Sequence, residues 1–217
     1  MIELKNSLIL KQTEMLEKMF DLYNKTFFNE ELHDVALTIQ TCGRKQNTLG
    51  WCSIGTIWVE KKKSNGEKEE SSYREINLSA EFMNGGIYEV SSTLIHEMVH
   101  ALNSQRGVKD CNPKTQNHNK HFRELAEQSG LHVERMEKRG WADTSLTPMT
   151  YKKIEDFLKE GLIEDVFNFA RTAPEKPTVV RKPKRKYFCN CGTKFSSTKD
   201  IDATCNVCGQ KFDYEEE

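Results

Sequence analysis

The run His96-Glu97-Met98-Val99-His100 constrains this chain more than any other stretch of its 217 residues. On a helix, positions four apart lie one above the other, so the two imidazoles of an HExxH run share a face. Two neutral imidazoles at that spacing can grip one zinc ion, and the carboxylate between them can reach a water on the metal. The neighbours favour a helix. Leu94, Val99, Ala101 and Leu102 supply an apolar body, and Ser91, Ser92 and Thr93 offer caps for its start. The same letters would also suit a helix with two surface histidines and a solvated glutamate, so a third ligand has to be found.

Catalytic zinc usually keeps three protein ligands and one open corner. Downstream, Gly107 to Asn117 reads as a loop, rich in turn formers such as Asp110, Asn112 and Pro113. Asn119 to Ser129 then turns helical, with Phe122, Leu125 and Ala126 on one face and Gly130 placed to end it. His118 stands at the mouth of that helix, and His121 shares its first turn. Spacing does not separate these two as the third ligand.

HEMVHAL, a loop, and then HNKHF resembles the SprT-like metallopeptidases, the group that includes the Spartan proteases. That family's pattern is HExxH, a variable loop, and H-x-x-x-F opening a helix. The resemblance implies that His96, His100 and His118 hold a catalytic zinc, that Glu97 is the general base, and that Phe122 is an aromatic packing residue. It favours His118 over His121. The family often has glycine after its third histidine, where this chain has Asn119, a residue tolerant of unusual backbone angles.

Other segments fit the same pattern. Leu16, Met19, Phe20, Tyr23 and Phe27 describe an amphipathic helix over residues 8–28, and its LYNKTFFNEEL end resembles the family's first helix and turn. Val35 to Thr41 alternates as a half-buried strand should, and Gly50 to Val59 makes a second strand region. Arg74 to Ser79 resembles the short strand before the metal helix. Lys61 to Glu70 mixes both signs of charge and reads as a solvated loop. Periodicity gives an α+β domain. The resemblance, covering residues 10–135, implies a zincin-like arrangement of N-terminal helix, small sheet, HExxH helix and third-ligand helix.

A second cysteine-built pattern lies near the C-terminus: Cys189-x-Cys191 and Cys205-x-x-Cys208, each followed by glycine (Gly192, Gly209). Such pairs can wrap one ion as a four-thiolate zinc ribbon, with the glycines permitting the sharp turns. Four thiolates leave no open corner, so this zinc would be structural and would supply most of the module's folding free energy. Several SprT-like proteins resemble this chain in carrying such a ribbon. Two disulfides are the alternative, disfavoured because the opening MIELKNSLILKQTE has no signal-peptide architecture. Cys42, Cys52 and Cys111 lack metal-like spacing and read as idle thiols in a reducing compartment.

Composition and charge bound the rest. With 36% hydrophobic residues the chain can bury one good core plus a small module, and no apolar run is long enough to span a membrane. The expectation is a cytoplasmic protein of bacterial or phage type. A formal net charge of -1 excludes a polycation, but Arg171 to Lys186 is a basic, proline-containing linker. It is either a solvated tether or a phosphate-contacting arm beside the ribbon, where Tyr187, Phe188, Phe195 and Phe212 could stack on single strands or form a small core. The expected organisation is a peptidase domain over 1–145, a helical segment and linker over 146–186, and the ribbon over 187–213. Tyr151 to Ala170 reads as helix, broken near Gly161, after a turn-like stretch from Trp141 to Thr150.

The expected activity is zinc-dependent hydrolysis of peptide bonds, with Glu97 taking the proton from the attacking water and passing it to the leaving amine. Spartan-type relatives imply DNA-stimulated cleavage of DNA-crosslinked proteins, so protein or peptide is the expected substrate and DNA a second partner. The rival reading is a non-catalytic zinc-containing nucleic-acid-binding or adaptor protein, against which the retained Glu97 argues.

Overall fold

A computed structural model describes residues 7–42, 48–64, 67–172 and 184–215. They form two compact units, divided between Ala173 and Pro174.

The first unit opens with helix α1 (Leu8–Phe27), where the Ser7 hydroxyl caps the start by accepting from the Leu10 N–H. Its apolar stripe, including Leu16, Met19 and Tyr23, is fully buried. A mixed sheet follows, built from β1 (Val35–Gln40), β2 (Gly50–Cys52), β3 (Trp58–Ser64) and β4 (Glu67–Ser79). β4 is its axis: β1 runs parallel on one side, and β2 and β3 run antiparallel on the other. Alternation along β4 turns Ile76 and Leu78 into the core, while Glu75 and Asn77 occupy the opposite face, bonded to Thr38, Gln40 and Trp58.

Helix α2 (Gly86–Gln105) carries the HExxH run and packs on both α1 and the sheet. Leu94, Ile95, Met98 and Val99 are wholly buried on it, each such burial contributing about 1.5–3 kcal/mol. Then come α3 (Lys120–Gln128), the hairpin β5 (Leu131–Met136) and β6 (Gly140–Leu146), and α4 (Pro148–Lys159). α4 starts at a Thr147 cap with Pro148 in its first turn. Among the described residues, no helix is long and apolar enough to cross a membrane.

Four local expectations are corrected. Within Lys61 to Glu70, the described residues 61–64 and 67–70 are not loop but paired strand, with Lys61 opposite Glu70 and Lys62 opposite Glu69. Opposite charges across a ladder support a strand pair as well as a solvated loop. Ser91 does not cap α2. The helix begins a turn and a half earlier, and the Ser91 hydroxyl bonds back to the Ile87 carbonyl at 2.6 Å and to the Tyr23 hydroxyl at 2.7 Å. Trp141 to Leu146 is strand rather than turn. Finally, the helix expected over 151–170 ends at Lys159. The chain beyond Gly161 is irregular but inserts Ile163 and Phe167 into the core. α4 and that segment pack in the same core as α1 and α2, within the first unit.

The second unit is a three-stranded antiparallel sheet, β8 (Lys194–Ser197), β7 (Arg185–Phe188), β9 (Asp213–Glu215). Tyr187 is its buried centre, stacked on Phe195 at 4.7 Å, and Phe195 meets Phe212 edge-on at 4.9 Å. Tyr187 is therefore core and has no free face for a base. The linker's residues 173–183 lie outside the described set.

Candidate metal centre and cleft

The histidines of the HExxH run and His118 converge. One ring nitrogen from each of His96, His100 and His118 lies within 4.8 Å of the other two. His121 does not join them. It points outward from α3 toward Glu124 and is about half exposed.

His118 is held by backbone on both sides. Its N–H donates to the Arg139 carbonyl at 2.8 Å, its carbonyl accepts from Trp141 N–H at 3.1 Å, and it bridges to Cys111 across the loop. Gly140 makes this approach feasible: it has φ +65°, and a Cβ there would lie 2.2 Å from the His118 carbonyl oxygen. Asn119 does not use an unusual backbone angle, as the departure from the family pattern suggested. At φ -100° it is an ordinary N-cap of α3, accepting from the N–H groups of His121 and Phe122. Its amide also donates to the Lys109 carbonyl at 2.7 Å, fastening the loop.

Each imidazole has its outer nitrogen occupied. His100 Nδ1 donates to Asp110 Oδ2 at 2.7 Å, His118 Nδ1 to the Gln116 carbonyl at 3.0 Å, and His96 Nδ1 is 2.9 Å from the Thr144 hydroxyl. A carbonyl and a carboxylate can only accept, so the protons of His100 and His118 sit on Nδ1. Their Nε2 atoms face one another at 3.0 Å, close enough to share a cation, either a metal ion or the second proton of His100. Ligands at the zinc–nitrogen distance of about 2.0–2.1 Å would stand only slightly farther apart than this. The donor set fits zinc. Phe122, wholly buried, floors the site with its ring 4.5–4.7 Å from all three imidazoles.

Electrostatics favour the neutral, ligating form at His96 and His118 and the protonated form at His100. Burial, then the neighbouring imidazoles, holds His96 well below its ordinary value, and burial with His100 brings His118 down to about 4. Burial acts the same way on His100, but the Asp110 hydrogen bond and the charges of Glu97 and Asp110 outweigh it and raise its pKa. Burial pushes Glu97 up to about 7, His100 and the Cys52 N–H opposing and Asp110 adding. A carboxylate in that range can both take and return a proton near neutrality.

Asp110 and Thr144 are the residues that sequence reasoning missed. Asp110 is 7% exposed and is further held by the Asn103 amide at 3.1 Å. One acid in a polar loop carries no local mark, and Thr144 was hidden in a stretch read as turn. A group of His100, Asp110 and Cys111 also has metal-like proximity. Asp110 spends its oxygen on the outer nitrogen of His100, so it orients that ligand rather than founding a second site. Cys52 and Cys111 line the cleft, and burial raises both thiols, Cys111 to about 11 with help from Asp110. Neither is a ready nucleophile.

The three histidines and Glu97 lie in the wall of a cleft of about 1200 Å³ that follows the length of α2. Trp51 also lines it. Trp58 instead donates to Glu75 at 2.9 Å, and Trp141 packs under the Arg123 guanidinium at 4.7 Å.

In the second unit, Cys189, Cys191, Cys205 and Cys208 bring their sulfurs within 4.8 Å of one another. The pairs Cys189–Cys208 and Cys191–Cys205 stand at 3.2 and 3.5 Å, too far for disulfides and suited to sharing an ion. Gly192 and Gly209, at φ +91° and +75°, make the turns after each pair. The Thr193 hydroxyl and N–H lower Cys191 to about 6, and the N–H groups of Val207 and Cys208 lower Cys205, whereas Cys189 is pushed up to about 12, the Cys191 N–H opposing and the Cys208 sulfur and burial raising it.

Searches of curated proteins and of solved structures gave no match. The model of the SprT-like family matches residues 16–140, from the buried stripe of α1 to the glycine that admits His118. That span is more than half of the chain and contains the histidine triad, Glu97 and Asp110: the chain belongs to the SprT-like family.

Proposed function

We propose that this protein is a zinc-dependent endopeptidase, with His96, His100 and His118 as ligands and Glu97 as general base. The observation that carries the reading is the convergence of three inward imidazole nitrogens within 4.8 Å of one another, beside a buried carboxylate poised near 7 in an open cleft. Zinc held there would acidify a water and polarise a peptide carbonyl. Glu97, fixed by the Cys52 N–H, takes the proton as water attacks and returns it to the leaving amine. Asp110, Thr144 and the Gln116 carbonyl keep the three Nε2 atoms aimed inward throughout. The cleft walls hold the chain to be cut and limit water around the reacting atoms.

The ribbon cysteines hold a second, structural zinc in this reading. DNA is the second partner, met through Lys184, Arg185, Lys186 and the basic linker before them, and the substrates are proteins bound or crosslinked to DNA in a reducing cytoplasm. The test combines zinc content with cleavage of a DNA-binding protein by wild type and Glu97→Gln, with and without single-stranded DNA. Two zincs per chain and DNA-stimulated cleavage abolished by Glu97→Gln are expected. DNA binding without cleavage by either form would replace the hydrolase with a binding module, and cleavage indifferent to DNA would remove the DNA-linked role.

A further inference from the structure

The aromatic side chains of the cleft gather toward one end. α2 contributes a stripe to it, Tyr88, Ser92, His96, His100 and Ser104, so the walls can be followed along the helix axis. Toward the C-terminal end of α2 the lining is mixed, with Lys109, Asn112 and Gln116 beside Ile54, Val108 and Pro113. Toward its N-terminal end it is apolar, with Leu49, Phe82 and Leu146 joining Tyr88 and Tyr151.

Tyr88 and Tyr151 form the most ordered feature of that apolar end. Their rings stack at 3.9 Å with 8° between planes. One comes from α2 and the other from α4, so the stack ties two helices together. Tyr151 is nonetheless 47% exposed, and Leu49 nearby is 50% exposed. Tyrosines immobilised in advance lose little entropy on contact, which makes such a shelf a good receptor for a flat side chain.

We propose that the Tyr88–Tyr151 shelf is a substrate subsite that takes an aromatic side chain of an extended polypeptide lying in the cleft. The proposal deepens the endopeptidase reading and rests on it for the identity of the occupant. The register follows from geometry. Tyr88 precedes His96 by eight residues, about 12 Å of helix at 1.5 Å per residue. An extended chain advances about 3.3 Å per residue, so the side chain on the shelf belongs to a residue three or four positions from the scissile bond. Aromatic side chains are buried in folded proteins, so this subsite selects unfolded or locally opened segments. Stacked tyrosines can also receive nucleobases. Here, however, Glu155 and Asp165 lie close enough to act on the Tyr88 hydroxyl, and Glu89 stands on the rim. Lys109 and Arg139, the basic residues of the cleft lining among those described, are at the other end. A phosphate backbone would meet carboxylates, whereas a neutral or basic peptide would not be repelled.

The test reads binding and cleavage separately. Zinc-loaded full-length Glu97→Gln is titrated with a fluorescein-labelled Gly/Ser peptide carrying a single Phe, and with its Ala counterpart, by fluorescence anisotropy. Binding of the Phe peptide tighter by about two- to ten-fold is expected. Adding Tyr151→Ala should erase the difference, and Tyr151→Phe, which keeps the ring, should retain it. In parallel, unfolded casein is digested with wild type and with Tyr151→Ala, and the cut sites are located by mass spectrometry. Wild-type cuts should show aromatic residues enriched three or four positions away, and the variant's should not. Equal binding of the two peptides overturns the subsite whatever the digestion shows. Discrimination in binding with no cleavage by wild type upholds the shelf and removes the endopeptidase. Tighter binding of an oligothymidylate than of the Phe peptide, lost in Tyr151→Ala, would overturn the choice of polypeptide.

Discussion

Replacing Asp110 with asparagine separates charge from shape at the metal centre. A single oxygen of Asp110 accepts both from His100 Nδ1 at 2.7 Å and from the Asn103 amide at 3.1 Å. An asparagine carbonyl placed there keeps both hydrogen bonds, and the loop is held independently by the Asp110 carbonyl accepting from Asn119 N–H at 2.9 Å. What disappears is a buried negative charge behind one ligand. Hydrogen bonds to charged groups are about twice as strong as neutral ones, and loss of such a partner typically weakens zinc binding about 10- to 100-fold. That is about 1.4–2.7 kcal/mol. Competition against a chromophoric chelator measures it, with the four-cysteine site of the same molecule as internal reference. The expected result is weakening at the histidine site alone, with an unchanged far-UV spectrum. Affinity within two-fold of wild type, or equal loss at both sites, would refute the claim that Asp110 sets the donor strength of His100.

Three further outcomes are expected. Phe122→Ala removes a wholly buried ring from beneath three imidazoles and should cost about 3–5 kcal/mol, read from the denaturant midpoint. Glu81 supplies a pH signature. Burial would raise its pKa, but the Thr41 hydroxyl and Cys42 N–H hold it at about 2 against 4.5. Its carboxylate therefore stabilises the fold above about pH 4.5, and that contribution is lost as pH falls through about 2. The melting-temperature gap between wild type and Glu81→Gln should be full at neutral pH and close toward pH 2, and a constant gap would contradict this. Cys208→Ser should lower bound zinc from two ions per chain to one while leaving cleavage of a peptide free of DNA intact.

The sequence by itself determined the elements whose periodicity is local. The α1 stripe from Leu16 to Tyr23, the HExxH face, the helix opened by Asn119 and the two cysteine knuckles each declare themselves within a few residues, because helix period and ligand spacing are short-range quantities. His118 and His121 are equivalent in spacing; the resemblance favoured His118, and tertiary structure shows why, through backbone bonds to Arg139 in a turn and Trp141 in the strand that follows it. Tertiary structure alone decided the parts of Asp110 and Thr144, and the stacking of Tyr88 on a tyrosine sixty-three residues away. A contact between distant segments leaves no period in either of them, so only the folded chain can place those side chains together.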